Sequence, residues 1–539
     1  MKGGAIGLGL VALPTFGSIG YAAYKHNFNM FDALLRTWRT GWAGVVTTAE
    51  YKWFYITHPE DRPGFEEGEK ALHKRAALRV LDVCQTQGGL YIKLGQYAAA
   101  NNHIYPKEWT DTLKVLQDQA VHRDFAVVEE IFQQEFGQHP DQVFATFEKK
   151  PIAAASIAQV HQAVTKDGRT VAVKLQYPEI RDRFVIDMFS HDVTLHALAY
   201  FFPKLDVTWA GPELQAVLKQ ELDFENEARN SERAMIEFRG NPDYYVPKVD
   251  WKTTTGRIMT TEWIDGAKVT DVERLHRMGL NVKEVMTKLT TCLAEQLFLT
   301  GFVHADPHPG NIFIRKHPTK RGQSQIVLLD HGLYKEVPDR VRTFYCRIYR
   351  GFVTGHYNEI RDACKDIGID DWKLMAFVIF MRPLDMDFFT DEGVTIAEAH
   401  EMMKDKRKLQ YFLHKATQQH IDEVMALVRQ IPREFLLILR NNNIIRSINR
   451  ELGAPVNRFT LFGRQAIRGL RRAKHQPWYR RYAEYVYYEF ALKRLEASMW
   501  LESLYFHLMY TFGLYAIEID TEGLDMDTTF EDMPTGLAM

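Results

Sequence analysis

Two short polar motifs constrain this chain more than any other feature. The first, HADPHPGN, contains Asp306 and Asn311, and the second, LLDHG, contains Asp330, 19 residues after Asn311. Phosphoryl transfer from a nucleotide uses one carboxylate to orient the attacking oxygen, and an amide with a second carboxylate to hold Mg²⁺ against the phosphates. The apolar run just before Asp330 is typical of a buried strand. The motifs therefore predict ATP and Mg²⁺ as cofactors, with Asp306 as a catalytic residue and Asn311 and Asp330 as metal ligands.

The spacing matches the catalytic loop H-R-D-x-x-x-x-N and the later D-F-G element of kinases. The loop here begins at His304, and the interval from Asp306 to Asn311 is the same. His331 stands where kinases usually have Phe, so active and inactive states should not be assigned by analogy.

A phosphate-binding lysine and an acidic partner are predicted upstream. The strand-like run VAVKLQ contains Lys174 and follows the V-A-I-K pattern. The segment 219–232 has helical composition and offers Glu221, Asp223 and Glu227. Asp223 and Glu227 are four residues apart and are predicted to share a helix face. Because a buried lysine needs a compensating charge, one of the three acids is predicted to pair with Lys174.

An alanine-rich turn stands where a glycine-rich phosphate loop is expected. No GxGxxG precedes Lys174, and the run PIAAASIAQVH takes its place. Alanine adopts positive φ less readily than glycine, so this loop should be stiffer, although its amides can still face an anion. The predicted nucleotide-binding residues are Ala153, Ala154, Ala155, Ser156 and, on a strand and hinge over 259–265, Glu262.

The segment after the second motif is short. Only six residues separate Gly332 from a helical run that begins near Asp339, and no A-P-E follows. A protein kinase has a longer activation segment there, which forms a platform for a peptide. We therefore expect a small or lipid-like substrate, or ATP hydrolysis alone.

The chain resembles the UbiB/AarF-domain (ADCK) family of atypical kinase-like proteins. The resemblance is carried by KLGQ at 93–96, AAAS at 153–156, ELD at 221–223 and the two motifs above, within residues 70–515. It implies an α+β, mostly helical, bilobal protein-kinase-like fold with an N-terminal helical extension that blocks the place of a peptide. It also implies a mitochondrial, plastid or bacterial membrane and isoprenoid-lipid or coenzyme Q chemistry.

The resemblance assigns roles to particular residues. Lys93 and Gln96 would belong to the extension, and Lys93 would pair with the acidic element of Glu221 and Asp223. Glu227 would then be the partner of Lys174. Of the implied locations we expect the mitochondrial inner membrane, with a membrane lipid or a quinone-like molecule as partner.

The N-terminal region is predicted to be a membrane anchor. Residues 3–24 carry no charge, and 22 residues in a helix span about 33 Å, enough for a bilayer core. A cleaved signal or an import sequence is the alternative. The following stretch is rich in aromatic and basic residues, which suits a headgroup region, although ordinary core packing is an equal alternative. These residues are Trp38, Trp42, Tyr51, Trp53, Tyr55, Lys25, Arg36 and Arg39.

Composition limits the other functions. The net charge of −2 indicates no polyanionic partner, and we recognise no nucleic-acid-binding module. The four cysteines are widely spaced, which supports neither disulfides nor a zinc site. A basic cluster within 452–483 could meet anionic lipid, or could be an ordinary helix face balanced by acids. It comprises Arg458, Arg464, Arg468, Arg471, Arg472, Lys474, Arg480 and Arg481.

The predicted domains follow from these features. They are an anchor at 1–24, a linker at 25–69, the KxGQ extension at 70–149, an N-lobe at 150–266, a C-lobe at 267–517 and an acidic disordered tail at 518–539. Three functions stay open: a membrane-anchored kinase or ATPase, a small-molecule phosphotransferase of the aminoglycoside or choline kinase type, and a pseudokinase scaffold.

Overall fold

A computed structural model describes residues 30–59, 64–100, 106–117, 122–154, 156–201, 210–380, 433–472 and 478–511. These residues divide into two compact units. The first takes in the described residues up to Ser231 together with Pro247–Ile264, and the second takes in Glu232–Val246 and the described residues from Asp265 onward. Both units contain helices and strands, as the predicted α+β class requires. The finer domain boundaries stay predictions.

The first unit is mostly helical, with one sheet. Its helices are α1 (Met30–Thr57), α2 (Phe65–Gln87), α3 (Leu90–Ala100), α4 (Lys107–Leu113), α5 (Phe125–Phe136), α6 (Pro140–Val143), α7 (Pro178–Phe201) and α8 (Ala210–Glu221), and α9 (Phe224–Glu237) begins here and ends in the second unit. Its strands are β1 (Thr146–Phe147), β2 (Ala153–Ala154), β3 (Ala158–Val164), β4 (Thr170–Gln176) and β6 (Ile258–Glu262).

The antiparallel sheet of the first unit fixes the direction of Lys174. The strands run in the order β1-β3-β4-β6, and β2 also pairs with β3. Along β4 the buried residues alternate, so that Val171, Val173 and Leu175 pack into an apolar core with Phe132 of α5. Since successive side chains of a strand point to opposite faces, Lys174 lies on the other face of the sheet.

The predicted helical segment over 219–232 is broken. Helix α8 ends at Glu221 and α9 begins at Phe224. Two side chains of neighbouring elements, Gln176 and Arg181, both donate to the Leu222 carbonyl, at 2.9 and 2.8 Å. Asp223 then caps α9, because its Oδ1 accepts from the Asn226 amide at 3.1 Å. The prediction that Asp223 and Glu227 share a helix face is therefore wrong.

A buried ion pair holds α1 against the first unit. Arg36 Nη2 lies 2.8 Å from Asp187 Oδ2 of α7, and Arg36 Nη1 donates to the Gln87 carbonyl at 3.0 Å. Arg36 and Asp187 are 5% and 1% exposed. For Arg36 the alternative of core packing is therefore correct and the headgroup alternative is wrong, since its charge is compensated inside the protein.

The second unit combines helices with two small sheets. Its helices are α10 (Val272–Arg277), α11 (Val282–Glu295), α12 (Asp339–Thr354), α13 (Tyr357–Asp366), α14 (Trp372–Phe380), α15 (Arg433–Glu451), α16 (Arg458–Arg472) and α17 (Trp478–Thr511). Its strands are β5 (Tyr244–Tyr245), β7 (Ala267–Lys268), β8 (Phe302–His304), β9 (Ile312–Lys316), β10 (Ser324–Leu328) and β11 (Tyr334–Glu336).

The sheets of the second unit bring the two polar motifs together. One sheet has the order β5-β10-β9-β7, and the other pairs β8 with β11. In the antiparallel pair of β9 and β10, Ile312 faces Leu328. The residue before β9, Asn311, and the residues after β10 therefore leave the sheet at the same end. Helix α12 begins at Asp339, as the sequence predicts.

Close helix packing explains one glycine, and acidic partners explain two arginines of the basic cluster. A Cβ at Gly469 of α16 would lie 2.4 Å from the Phe298 carbonyl oxygen, so only glycine permits this approach. On the same helix Arg464 pairs with Glu489 at 3.0 Å and Arg468 with Glu295 at 2.9 Å. For these two arginines the alternative of a helix face balanced by acids is correct.

The predicted anchor at 1–24 and the acidic tail at 518–539 lie outside the described residues. Among the residues that the structure does describe, no helix is both long and apolar enough to cross a bilayer.

Candidate active site

Lys174 and Glu227 form a close ion pair within the first unit. The Nζ of Lys174 lies 2.8 Å from both carboxylate oxygens of Glu227. It also lies 5.0 Å from the centroid of the Phe224 ring, a cation–π arrangement. Glu227 stands in the first turn of α9, where the helix dipole favours a negative charge. The break before α9 therefore sets the acid opposite the lysine of β4.

The KLGQ residues contact two different partners. Lys93 Nζ of α3 lies 3.1 Å from Glu221 Oε2 at the end of α8. Gln96 Nε2 instead donates to the Leu116 carbonyl at 2.8 Å, within the helical extension itself. The structure thus brings Lys93 to the acidic element, while Asp223 serves as a helix cap.

The alanine-rich turn forms a short hairpin. Ala153 faces Val160 and Ala154 faces Gln159 across the β2–β3 pair. Ser156 is buried, and Ala155 lies outside the described residues. Glu262 is the last residue of β6, where its amide donates to the Lys248 carbonyl.

The His304 side chain forms hydrogen bonds to both polar motifs. Its Nδ1 accepts from the Asp306 amide at 3.1 Å, so Nε2 carries the proton and donates to the Asp330 carbonyl at 2.8 Å. The ring is 2% exposed. A neutral imidazole therefore ties the loop of Asp306 to the backbone of the second motif.

Asn311 and Asp330 lie side by side in the second unit. Asn311 Nδ2 is 3.4 Å from Asp330 Oδ2, and the Leu329 amide donates to the Asn311 carbonyl at 3.0 Å. Asp330 Oδ1 accepts from the Gly332 amide at 2.9 Å, which fixes the carboxylate. An amide oxygen and a carboxylate are the hard ligands that Mg²⁺ accepts beside phosphate oxygens and water. Both residues therefore suit a magnesium ion bound with a nucleotide.

This pair differs from an all-protein metal cage. Among the described residues, no group of three or more His, Cys, Asp or Glu side chains is arranged to hold a metal. Magnesium in nucleotide sites usually takes only one or two carboxylates and completes its shell with phosphates and water.

His331 packs in place of the usual Phe. It is 1% exposed and stacks on Tyr334, with ring centroids 5.6 Å apart. Its Nε2 donates to the Leu328 carbonyl and its Nδ1 accepts from the Tyr334 hydroxyl, both at 3.0 Å. Burial raises the pKa of Tyr334 well above its usual value, so the phenol keeps the proton that it donates. His331 is a buried, hydrogen-bonded support for the second motif.

Two side chains that support the backbone of His304 were not predicted from the sequence. Gln296 Oε1 accepts from the His304 amide at 2.9 Å, and Asn441 Nδ2 donates to the His304 carbonyl at 3.0 Å. Gln296 begins a π-helical turn after α11, a feature frequent at functional sites. Asn441 is 137 residues from His304 in the sequence. No local pattern marks either residue, because each acts through a tertiary contact.

Comparison with known proteins defines the class. The model of the ABC1 atypical kinase-like domain matches residues 115–364. A Dictyostelium discoideum protein named probable serine/threonine-protein kinase abkD is 41% identical to this chain. The alignment covers 82% of this chain and 62% of the length of that protein. The AarF domain-containing protein kinase 1 of Xenopus tropicalis is 33% identical over 80% of this chain and 82% of its own length.

A solved structure of a Mycobacterium tuberculosis protein in complex with erythromycin aligns with 56% of this chain and 75% of its own, at 24% identity. The TM-score of this alignment is 0.40. The matching family model and the sequence relatives identify a kinase-like fold in this chain. The chain belongs to the ABC1 atypical kinase-like family, together with the AarF domain-containing protein kinases, and the resemblance predicted from its motifs is confirmed.

Proposed function

We propose that this protein binds ATP with Mg²⁺ and transfers the γ-phosphoryl group to a small or lipid-related acceptor, or hydrolyses it. The observation that carries the proposal is the placement of Asn311 against Asp330, at 3.4 Å. When bound, Mg²⁺ supplies charge neutralisation on the phosphates. Asp306 orients the acceptor oxygen, and Lys174, positioned by Glu227, contacts the phosphates.

The predicted nucleotide contacts complete this assignment. The backbone of Ala153, Ala154, Ala155 and Ser156 would lie along the phosphates, and the end of β6 at Glu262 would meet the base. The antiparallel pairing of β2 with β3 supports a stiff phosphate loop, since both strands are hydrogen-bonded. A stiff loop is expected to exchange nucleotide more slowly than a glycine-rich one, because alanine has fewer accessible backbone conformations.

A non-protein acceptor is favoured by the short segment after Gly332. Its central residues form β11, where Tyr334 faces His304 of β8, and α12 begins at Asp339. A segment fixed in this way supports an acceptor other than a peptide, because protein kinases bind a peptide on a longer segment at this point. The family resemblance adds an isoprenoid lipid or quinone-like molecule as the substrate class.

We also propose that the sequence 1–24 anchors the protein in a membrane, which the family resemblance suggests is the mitochondrial inner membrane. The support is the uncharged sequence of residues 3–24. Carbonate extraction of isolated mitochondria tests the anchor. Recovery of the protein in the soluble fraction would count against it.

Nucleotide titration, with and without Mg²⁺, tests the metal site. For Asp330→Asn we expect the Mg²⁺-dependent part of ATP affinity to fall at least about tenfold, because a charged ligand is lost. Asp370→Asn, an exposed carboxylate of the same unit, is the matched control and should bind like the wild type. Mg²⁺-independent binding by the wild type would favour the scaffold alternative. Phosphate release with solubilised lipids or phenols then separates enzyme from scaffold.

The Lys93–Glu221 contact is proposed to restrict access to the site. We expect Lys93→Ala to change the rate of phosphate release while the free energy of unfolding changes by no more than about 1 kcal/mol, since the pair is partly exposed. Lys107→Ala, which removes an exposed ion pair of the same extension, should change neither quantity. A Lys93→Ala protein that fails to fold would show instead that the contact is structural.

A further inference from the structure

The outer face of α1 carries an apolar surface that the site does not use. Six large apolar residues, each 55–75% exposed, follow one another at intervals that return to the same face of a helix. We call this surface the aromatic stripe, and it consists of Phe31, Trp38, Trp42, Val45, Trp53 and Ile56. From Phe31 to Ile56 it extends about 38 Å along the helix.

The rest of the first unit fixes this face outward. Ala33 and Ala43, on the opposite side of α1, are 0% and 8% exposed, and Arg36 is held by the buried pair with Asp187. Rolling the helix to hide the stripe would break that pair and leave a buried charge uncompensated. The exposure of the stripe is therefore a fixed property of the first unit.

Two exposed basic residues flank the stripe. Arg39 and Lys52 are exposed and lie beside the stripe on either flank. The two acids of the helix are turned to basic partners, Asp32 to Arg183 at 3.7 Å and Glu50 to Arg79 at 3.0 Å. The surface thus combines an apolar band with basic edges. Such a surface complements a lipid layer, in which anionic headgroups lie above apolar acyl chains.

The composition of the stripe matches a lipid surface better than a second helix. Three of its six members are Trp, and the rings of Trp38 and Trp42 stack with centroids 5.8 Å apart. Helix pairs in water favour Leu, Ile and Val at the seam. Trp is instead enriched where a membrane meets water, because the indole has an apolar body and a polar N–H.

We propose that α1 lies in the surface of a membrane with anionic headgroups, with the aromatic stripe in the acyl boundary and Arg39 and Lys52 at the phosphates. Helices of this type bury their apolar face about 5–10 Å below the headgroups. If the proposed anchor at 1–24 spans the bilayer, residues 25–29 reach at most about 18 Å, which holds α1 close to the same surface. The proposal does not depend on nucleotide binding.

Single-site labelling of the full chain tests this contact. The four native cysteines are all buried, and burial raises the pKa of the Cys84, Cys346 and Cys364 thiols to about 12. A fluorophore will therefore report an introduced cysteine, either Val45→Cys in the stripe or the control Lys166→Cys, an exposed residue in the β3–β4 turn. Each protein is mixed with phosphatidylcholine–cardiolipin vesicles containing lipid brominated in the acyl chain.

We expect the Val45 label to shift to the blue and to lose fluorescence to the brominated lipid, while the Lys166 label stays unchanged. Arg39→Glu with Lys52→Glu should weaken this quenching on anionic vesicles and leave it unaltered on pure phosphatidylcholine. Vesicle-bound protein with an unquenched Val45 label would overturn the proposal even if the anchor holds, and so would equal quenching at both positions. A blue shift without quenching, together with a doubled mass, would assign the stripe to a second copy of the chain.

Discussion

At the scale of single residues, Lys174 and Glu227 are unequally buried. The Lys174 side chain is 23% exposed, whereas that of Glu227 is 3% exposed and accepts both short contacts from the ammonium. Removing the lysine leaves a carboxylate in an apolar setting with its main compensating charge gone. The pair is therefore expected to contribute to folding, in addition to the proposed phosphate contact of Lys174.

We predict that Lys174→Met lowers the free energy of unfolding by about 3 kcal/mol, because the buried Glu227 carboxylate loses the ammonium that contacts both of its oxygens. The variant should also lose ATP binding, because the proposed phosphate contact is removed. The double variant Lys174→Met with Glu227→Leu should recover most of the stability but none of the binding. Urea unfolding and nucleotide titration measure the two quantities. Equal stability of Lys174→Met and the wild type would contradict the assignment.

At the scale of elements, α15 supports the catalytic loop through one side chain. Asn441 donates to the His304 carbonyl at 3.0 Å and is 5% exposed. Two turns further along, Asn449 makes the same kind of bond to the Val456 carbonyl at 3.2 Å and is 8% exposed. One helix thus offers two buried asparagines in similar settings, only one of which contacts the loop.

We predict that Asn441→Ala and Asn449→Ala each cost about 1–3 kcal/mol of stability, because each leaves a buried carbonyl without its donor. Only Asn441→Ala should slow phosphate release, by about tenfold or more, since it loosens the loop that carries Asp306. ATP affinity should stay unchanged in both. Equal losses of turnover would show that Asn441 acts through stability alone.

The elements also show what the sequence can predict. Alternation along β4 and the apolar run before Asp330 are local signals, and these elements form where expected. The break between α8 and α9 depends on Gln176 and Arg181, which reach the Leu222 carbonyl from other segments. The motifs predicted the residues of the candidate site. Gln296 and Asn441, which hold the loop through contacts distant in sequence, follow no pattern that could have predicted them.

At the scale of the whole molecule, several histidines are kept neutral by burial. Desolvation lowers the pKa of His73, His161 and His191 below the usual value of 6.5. As the pH falls through 6.5, these three histidines take up protons in the unfolded chain but stay neutral in the folded protein. The free energy of unfolding is therefore highest above this pH and decreases below it.

We predict that the free energy of unfolding falls between pH about 7.5 and about 5.5, and that His161 alone accounts for up to about 1.4 kcal/mol per pH unit. His161→Gln, which can still donate to the Glu148 carbonyl that His161 Nδ1 contacts at 2.7 Å, should reduce the slope. The control His122→Gln changes an exposed histidine and should not. Denaturant unfolding at several pH values measures the slope. An unaltered slope in His161→Gln would rule this histidine out.

The short connection from Gly332 to Asp339 also bears on regulation. Its residues 333–338 include a single hydroxyl, that of Tyr334, which is 7% exposed and bonded to His331. Many kinases are switched on when a phosphate is added to a long loop at this point and arginines order it. This stretch presents no accessible hydroxyl to a modifying enzyme, so an upstream kinase could not switch the protein on there.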